Sequence, residues 1–225
     1  MVVALAAAGT WFALVRGLPV KLIRALDRRG GLASRHGARG YSRLASRFLG
    51  GFHARIAGDA AASLAGVMGV TVLDVGSGPG EMALLLARVL PEARIVGLDP
   101  SVEMLEIARD AAERSGMAER VTFVEAGAER IPLPDGSVDL ALSTLSSHHW
   151  SDAGDAFAEL GRVLRPGGEA RIYDVRFAAL LPSELPALAI RAGDRVDSLT
   201  REVFDYGPRF LRPIALVRLR TTLES

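Results

Sequence analysis

The chain has 225 residues, 49% of them apolar and 24% charged, which is enough apolar material for a sizeable core. It contains no cysteine, so disulfides, thiolate metal sites and a cysteine nucleophile are excluded. Its four histidines do not form an H-E-x-x-H arrangement, and we expect no protein-built metal site.

The net charge of +1 conceals an uneven distribution along the chain. Ten Lys/Arg and one acid lie between Arg16 and Arg55, giving +9, whereas the residues from Asp59 onward sum to −8. Such an asymmetry predicts a basic arm, suited to an anionic surface, attached to a mildly acidic body.

Residues 1–15 are apolar, with Trp11 and Phe12 near their end, and basic residues follow them. As a helix this segment would span roughly 22 Å, less than the ~30 Å hydrocarbon core of a bilayer. No positive region precedes it, so a cleaved signal peptide is a poor match. Three interpretations stay open: an interfacial helix, a marginal signal-anchor, or a soluble helix packed on the domain. Either membrane interpretation would leave the domain on the cytoplasmic face, because the basic residues follow the apolar run.

Three segments are predicted. Residues 28–40 are rich in Gly and Arg and read as a linker, so residues 1–40 form an N-terminal extension. Residues 41–66 regain helical spacing of apolar residues and predict a helical lid, although Gly50 and Gly51 should weaken it. Residues 67–225 form the main domain.

From residue 67 onward, strand and helix patterns alternate regularly, which predicts βαβ units and a parallel sheet. The predicted strands cover residues 70–75, 93–98, 121–125, 138–143, 168–175, 202–206 and 213–221. The predicted helices cover residues 79–90, 102–115 (with Ser101 as N-cap), 153–164 and 185–190.

The central feature is the run from Val72 to Gly80, in which an apolar strand passes through a turn with three glycines into a helix. Pro79 suits the first helical position. A dinucleotide fingerprint would need a third glycine at position 81, where this chain has Glu81. Asp99 ends the next strand, where a carboxylate can accept hydrogen bonds from ribose hydroxyls, whether the ligand is a dinucleotide or another nucleoside. The alternative role of Asp99 is a favourable charge at a helix N-terminus.

The register D-x-G-x-G-x-G is followed by two further motifs, at residues 127–139 and 164–169. Together they resemble the class I S-adenosylmethionine (SAM)-dependent methyltransferases, in particular the ubiquinone/menaquinone C-methyltransferase-like branch. The resemblance implies an α/β, Rossmann-like seven-stranded sheet in the order 3-2-1-4-5-7-6, with strand 7 antiparallel and helices on both faces. It also implies SAM as cofactor and methyl transfer to a small, apolar or lipid-like acceptor.

The resemblance implies a set of cofactor-binding residues around the methionine, ribose and adenine of SAM. They are Asp74, Gly76, Ser77, Gly78, Gly80, Asp99, Pro100, Ser101, Met104, Ala128, Glu129 and Ser143. This chain departs from the family at Gly127, where an acid usually accepts from the adenine amine. Adenine recognition would then fall to the backbone of Ala128 or Glu129, or to the Glu129 side chain.

His148 and His149 follow strand four, where an acceptor would bind, and are the candidate general bases. The alternative is a structural corner formed by both histidines and Trp150. His148 and Tyr41 are candidate acceptor-pocket residues.

Two other functions remain open: a non-catalytic SAM-binding module, and an RNA methyltransferase that uses the basic arm. The sequence has no separate RNA-binding domain and its body is net acidic, so nucleic acid is an unlikely partner. We expect a cytoplasmic protein, with attachment to the inner face of the membrane as the alternative, and the sequence does not indicate an oligomeric state.

Overall fold

The computed structural model describes residues 50–175, 180–204 and 214–223. The strands are β1 (Thr71–Val75), β2 (Arg94–Asp99), β3 (Val121–Glu125), β4 (Val138–Thr144), β5 (Leu164–Val175), β6 (Val196–Val203) and β7 (Ile214–Thr221). The helices are α1 (described over residues 50–63), α2 (Glu81–Val89), α3 (Val102–Arg114), α4 (Ala153–Val163) and α5 (Leu185–Ala192). A short 3₁₀ turn covers Ser147–His149.

The strands form one seven-stranded sheet in the order β3-β2-β1-β4-β5-β7-β6. Strands β1 to β5 are parallel to one another, and β7 is antiparallel to both β5 and β6. The predicted fold class, strand order and strand orientation are therefore confirmed.

Each central strand buries side chains on both faces of the sheet. On one face Val72 and Ile95 pack with helices α1, α2 and α3, and on the other Leu73 and Val96 pack with α4 and α5. Continuous apolar strands of this kind are typical of a parallel sheet that is covered on both sides. In the described part of the chain, helices thereby cover both faces of the central strands.

Helix α3 begins as the sequence predicts. Ser101 is its N-cap, and the Ser101 hydroxyl accepts a hydrogen bond from the Met104 amide at 3.3 Å. Helix α4 begins in the same way, with Asp152 accepting from the Asp155 amide at 2.9 Å. Because both caps are local interactions, they could be predicted from the sequence.

Strand β6 differs most from the prediction. It covers Val196–Val203 rather than residues 202–206, and residues 205 and 206 lie outside the described ranges. It is the edge strand of the described sheet, where it pairs with β7, and all of its residues are partly or fully exposed. An exposed edge strand tolerates polar residues, so its sequence lacks the apolar pattern on which the prediction relied.

Two smaller boundaries also differ. Strand β5 begins at Leu164, before the Pro-Gly-Gly turn, because Leu164 pairs with Val138 ahead of a register shift. Helix α2 begins at Glu81 rather than Pro79, because its N-cap Gly80 adopts a left-handed conformation with φ 84°. Pro79 therefore belongs to the turn.

Helix α1 covers part of the segment predicted as a lid. Its Phe52 and Ile56 are almost fully buried in the same core cluster as Tyr173 and Leu216. The extension at residues 1–40 and the start of the lid, including Tyr41, lie outside the described residues. Among the described helices, none combines the length and the apolar character needed to cross a membrane.

Candidate functional site

The polar residues that the sequence predicts to bind the cofactor lie together at the carboxyl ends of β1, β2 and β4. Strand β1 lies between β2 and β4, and the chain connections run in opposite directions from this point of the sheet. Ligands of open α/β sheets bind in the crevice at such a switch point. The structure therefore brings Asp74, Asp99 and Ser143 to one edge of the sheet.

The glycine turn after β1 is fastened to the end of β2. The amides of Gly76 and Ser77 donate to the Leu98 carbonyl at 2.7 and 2.9 Å, and the Gly78 amide donates to Asp99 Oδ2 at 2.8 Å. These amide hydrogens are already used, so a ligand would meet the carbonyls and the bare main chain of the turn. Gly78, with φ 52°, has no atom within 4 Å of where a Cβ would lie, and it leaves that room.

Asp74 is a buried carboxyl with unmet bonding capacity. Its side chain is 0% exposed, and neither of its oxygens has a hydrogen-bond partner among the described residues. The buried Ser77 hydroxyl beside the turn is also unpartnered there. Buried polar groups in proteins are nearly always satisfied, so both side chains fit a ligand that supplies hydrogen-bond donors, including a cationic group.

The environment of Asp74 favours its neutral form. Burial, followed by the negative charge of Asp99, raises the pKa of Asp74 from 3.8 to about 7. The nearby Ala83 amide opposes this shift, without forming a hydrogen bond of normal geometry. A ligand ammonium beside Asp74 would reverse the shift, because an opposite charge favours the ionised form.

Asp99 is held rigidly at the end of β2. Its Oδ1 accepts from the Ser101 amide at 2.9 Å and its Oδ2 accepts from the Gly78 amide at 2.8 Å. Burial raises the pKa of Asp99, although both amide hydrogen bonds oppose that shift. Each carboxylate oxygen can accept a second hydrogen bond, so Asp99 retains acceptor sites for two hydroxyls. Pro100 next to it is exposed, and Met104 is half-buried.

Gly127, the position at which this chain differs from the family pattern, lies in the loop after β3. A Cβ added to Gly127 would lie only 2.6 Å from Glu129 Oε2, so the Glu129 carboxylate fills the space where an acidic side chain at position 127 would begin. The other oxygen, Oε1, accepts from the Ser151 hydroxyl at 2.8 Å and the Asp152 amide at 3.2 Å, ahead of helix α4. Partial burial acts to raise the pKa of Glu129, but its hydrogen bonds together lower it. Ala128, by contrast, has a buried side chain and offers only backbone.

His148 is paired with an acid that the sequence reasoning missed. Its Nδ1 lies 2.9 Å from Oδ1 of Asp174, and its backbone amide donates to Oδ2 of the same residue at 3.0 Å. The Ser147 hydroxyl donates to the same Oδ2 at 2.5 Å. Asp174 is 0% exposed and lies in β5, one strand beyond β4. The sequence did contain a signal for this contact, because Asp174 is an acid near the carboxyl end of a strand parallel to β4. The carboxyl ends of parallel strands lie at one edge of the sheet, where ligands bind.

The two histidines are not equivalent. The His149 side chain is exposed, whereas His148 is only 14% exposed and lies against Asp174. Their ring centroids are 4.0 Å apart. Trp150 is buried and packs edge-on against Phe157, so of these three residues it is Trp150 that has the structural role considered above. The geometry therefore distinguishes His148, which Asp174 holds in place, from the exposed His149.

Comparison with known proteins agrees with this architecture. A family model described as a methyltransferase domain matches residues 73–172. The demethylmenaquinone methyltransferase of Thermus thermophilus is 41% identical over 103 residues, which are 46% of this chain and 46% of that protein. The ubiquinone/menaquinone biosynthesis C-methyltransferase of Xanthomonas oryzae is 31% identical over 156 residues, or 63% of this chain and 61% of that protein.

The chain thus spans about half the length of the curated relatives that it matches. Among solved structures, a protein of Methanococcus maripaludis described as a SAM-dependent methyltransferase superposes with a TM-score of 0.69 at 21% identity. The superposition covers 86% of this chain and 95% of that one. At this identity the likeness establishes the fold.

Proposed function

We propose that the chain, which is similar over residues 73–172 to methyltransferase domains and resembles the class I SAM-dependent methyltransferases, binds SAM and methylates a small organic acceptor. The observation that carries the proposal is the buried Asp74 carboxyl, which has no hydrogen-bond partner among the described residues and lies beside the open main chain of Gly78. A ligand that brings a cation and several donors to this point satisfies groups that the described residues leave unsatisfied.

Three acids would hold the cofactor at separate positions. Asp74 would accept from the methionine ammonium, and Asp99 from the ribose hydroxyls through the lone pairs that its two amide donors leave. Glu129 Oε2, which occupies the space beside Gly127, would accept from the adenine amine. Pro100, Ser101 and Met104 would line the adenine side, while Gly76, Gly80 and Ser143 would shape the methionine end.

SAM supplies a methyl group that its sulfonium already activates, so the protein contributes mainly alignment, which can be worth roughly 7–11 kcal/mol. His148 would accept the proton of an acceptor whose methylation requires deprotonation. Because the Asp174 carboxylate accepts from Nδ1–H, the neutral ring carries its hydrogen there, and Nε2 becomes the basic nitrogen. The buried Asp174 charge also stabilises the imidazolium that forms.

The acceptor class is inferred from the relatives and from the N-terminus. Two relatives are named for quinone methylation, which favours an apolar, quinone-like or lipid-like acceptor. The basic, apolar residues 1–40 would bring the domain to the cytoplasmic face of a membrane, where such acceptors reside. The comparisons give no support to the RNA alternative.

Calorimetry with S-adenosylhomocysteine (SAH), SAM and NADH tests the first step. We expect micromolar-range binding of SAM and SAH and none of NADH; NADH binding without SAM binding would refute the proposal. Activity with labelled SAM against quinone, lipid and small-molecule extracts then identifies the acceptor. An active enzyme that labels only RNA would overturn the small-molecule class.

Flotation with anionic liposomes tests the membrane contact. Full-length protein should rise with the vesicles at low salt, and a chain beginning at Gly40 should not. Full-length protein that stays in the soluble fraction, with a destabilised truncated form, would show that the N-terminus is part of the fold.

A further inference from the structure

Ser146 lies between the two halves of the site. Its hydroxyl donates to the Val75 carbonyl at 2.9 Å, at the entry of the glycine turn, and lies 2.7 Å from Ser143 Oγ. A serine hydroxyl has one hydrogen, so Ser143 must be the donor in the second contact. The result is a directed chain of hydrogen bonds from Ser143 through Ser146 to the last residue of β1.

The contact of Ser146 with Gly76 is also steric. A Cβ on Gly76 would lie 2.3 Å from Ser146 Oγ and 2.4 Å from Ser146 Cβ, distances that real atoms do not reach. Gly76 thus provides the space that Ser146 occupies, besides its positive φ of 76°. Ser146 is thus fitted to the turn both through its hydrogen bond to Val75, 71 positions earlier in the chain, and through its contact with Gly76.

The backbone around Ser146 is held in an unusual conformation. Leu145, with φ 54°, is the single non-glycine residue with positive φ among the described residues. Its amide donates to the Tyr173 carbonyl at 2.7 Å, which fixes the reversal of the chain after β4. Non-glycine residues in this region persist only where the surroundings determine them, and they cluster at functional sites.

Ser146 also begins the 3₁₀ turn that carries His148. The Ser146 carbonyl accepts from the His149 amide at 2.9 Å. The far side of this turn is anchored to Asp174 by Ser147 and His148. The turn is therefore tied to β5 at one point and, through Ser146, to the glycine turn at another.

We propose that Ser146 is a positioning residue that couples the cofactor-binding glycine turn to His148. It sets the distance between the cofactor and the base, while Asp174 separately sets the orientation of the imidazole. This inference rests on the proposed function, because it assumes that SAM binds at the glycine turn.

The test follows the His148 ring by NMR during titration with SAH. The His148 signal is identified by its absence in His148→Asn protein. In the wild-type chain, saturation with SAH should shift this signal. In Ser146→Ala protein, SAH should bind about 2- to 10-fold more weakly, the range expected for one neutral hydrogen bond. At saturation its His148 shift should be clearly smaller than in the wild type.

Thr221→Val is the matched control, because it also removes a buried hydroxyl that donates one hydrogen bond to a backbone carbonyl, that of Arg165, at 2.6 Å. Thr221 lies at the end of β7 that is far from the site, since the other end, Ile214, pairs with the residue after Asp174. It should bind SAH and shift His148 as the wild type does. An equal His148 shift in Ser146→Ala and wild type, or no shift in the wild type at saturation, would overturn the inference. Failure of the wild type to bind SAH would overturn the proposed function, and this inference with it.

A size-exchange cycle tests the direct contact. Gly76→Ala should weaken SAH binding by placing a methyl group on Ser146, and adding Ser146→Gly should recover part of that loss. The positive φ of residue 76 would prevent full recovery. A double variant whose loss equals the sum of both single losses would show that the residues are not coupled.

Discussion

At the ends of β1 and β2, the contacts that shape the site run from backbone amides to Leu98 and Asp99. At the ends of β4 and β5 they run mainly between side chains, with Ser147 and His148 converging on Asp174. The first region is a rigid frame with unsatisfied acceptors, suited to a constant ligand. The second depends on contacts between a few side chains, which single substitutions would remove. Substitutions should therefore separate cofactor binding from turnover.

The largest expected effect lies in the β4–β5 region. Replacing His148 by Ala should lower kcat by about 10²- to 10⁴-fold, the usual contribution of a general base. SAH affinity should stay near the wild-type value, since His148 is not part of the cofactor frame. Asp174→Asn should also lower kcat, because the amide can donate to Nδ1 and favour the wrong tautomer. Turnover with the identified acceptor measures both.

His149→Ala is the matched control, because its exposed ring lies next to His148, with the two ring centroids 4.0 Å apart. It should retain most activity. An unchanged kcat in the His148 variant would show that the 3₁₀ turn has a structural role only. The two regions would then not differ in function as proposed.

The next effect concerns Asp74. In the folded protein the pKa of Asp74 is raised from 3.8 to about 7 by burial and by the charge of Asp99. Below pH 3.8 the carboxyl is protonated in both states, whereas above pH 7 the folded state must bury its charge. The free energy of unfolding should therefore fall as pH rises between these values, by a few kcal/mol at about 1.4 kcal/mol per pKa unit. Asp74→Asn should remove this loss, so the variant should be more stable than the wild type at pH 8 and bind SAH poorly.

Denaturant unfolding between pH 4 and pH 8 measures this effect, with Asp59→Asn as the control because Asp59 is an exposed acid paired with Arg55. Saturating SAM, whose ammonium would neutralise Asp74, should flatten the pH dependence of the wild type. Parallel pH curves for wild type and Asp74→Asn would mean that another group already compensates the buried charge.

The same contrast explains what the sequence could predict. The strand order, the Ser101 cap and the positions of Asp74 and Asp99 depend on local patterns or on motifs with fixed spacing. Asp174 and Ser146 act through contacts between residues 26 and 71 positions apart, which no local pattern encodes. Strand β6 was misplaced because an exposed edge strand carries a weak apolar signal.

Asp99→Ala should weaken SAM binding by about 1.5–3 kcal/mol, the range for hydrogen bonds to a charged group. Part of this loss would come from the glycine turn, since Gly78 loses its acceptor. Glu125→Ala is the matched control, because Glu125 is an exposed acid paired in register with Asp99 on β3. Calorimetry should show nearly wild-type affinity for that control. Equal losses in the two variants would indicate a general charge effect rather than a ribose contact.

The smallest expected effect is on adenine recognition, and it distinguishes the contribution of Gly127 from that of Glu129. Glu129→Ala should weaken SAM binding by about 1 kcal/mol if Oε2 meets the adenine amine, and it should also cost stability, since Oε1 accepts from Ser151 and Asp152 ahead of α4. Gly127→Asp alone should not tighten binding, because its Cβ would lie 2.6 Å from Glu129 Oε2 and its charge would repel that carboxylate. With Glu129 already replaced by Ala, Gly127→Asp has room and should recover the lost affinity. If Gly127→Asp instead tightens binding in the presence of Glu129, then Glu129 serves only the start of α4, and the adenine amine is recognised by backbone.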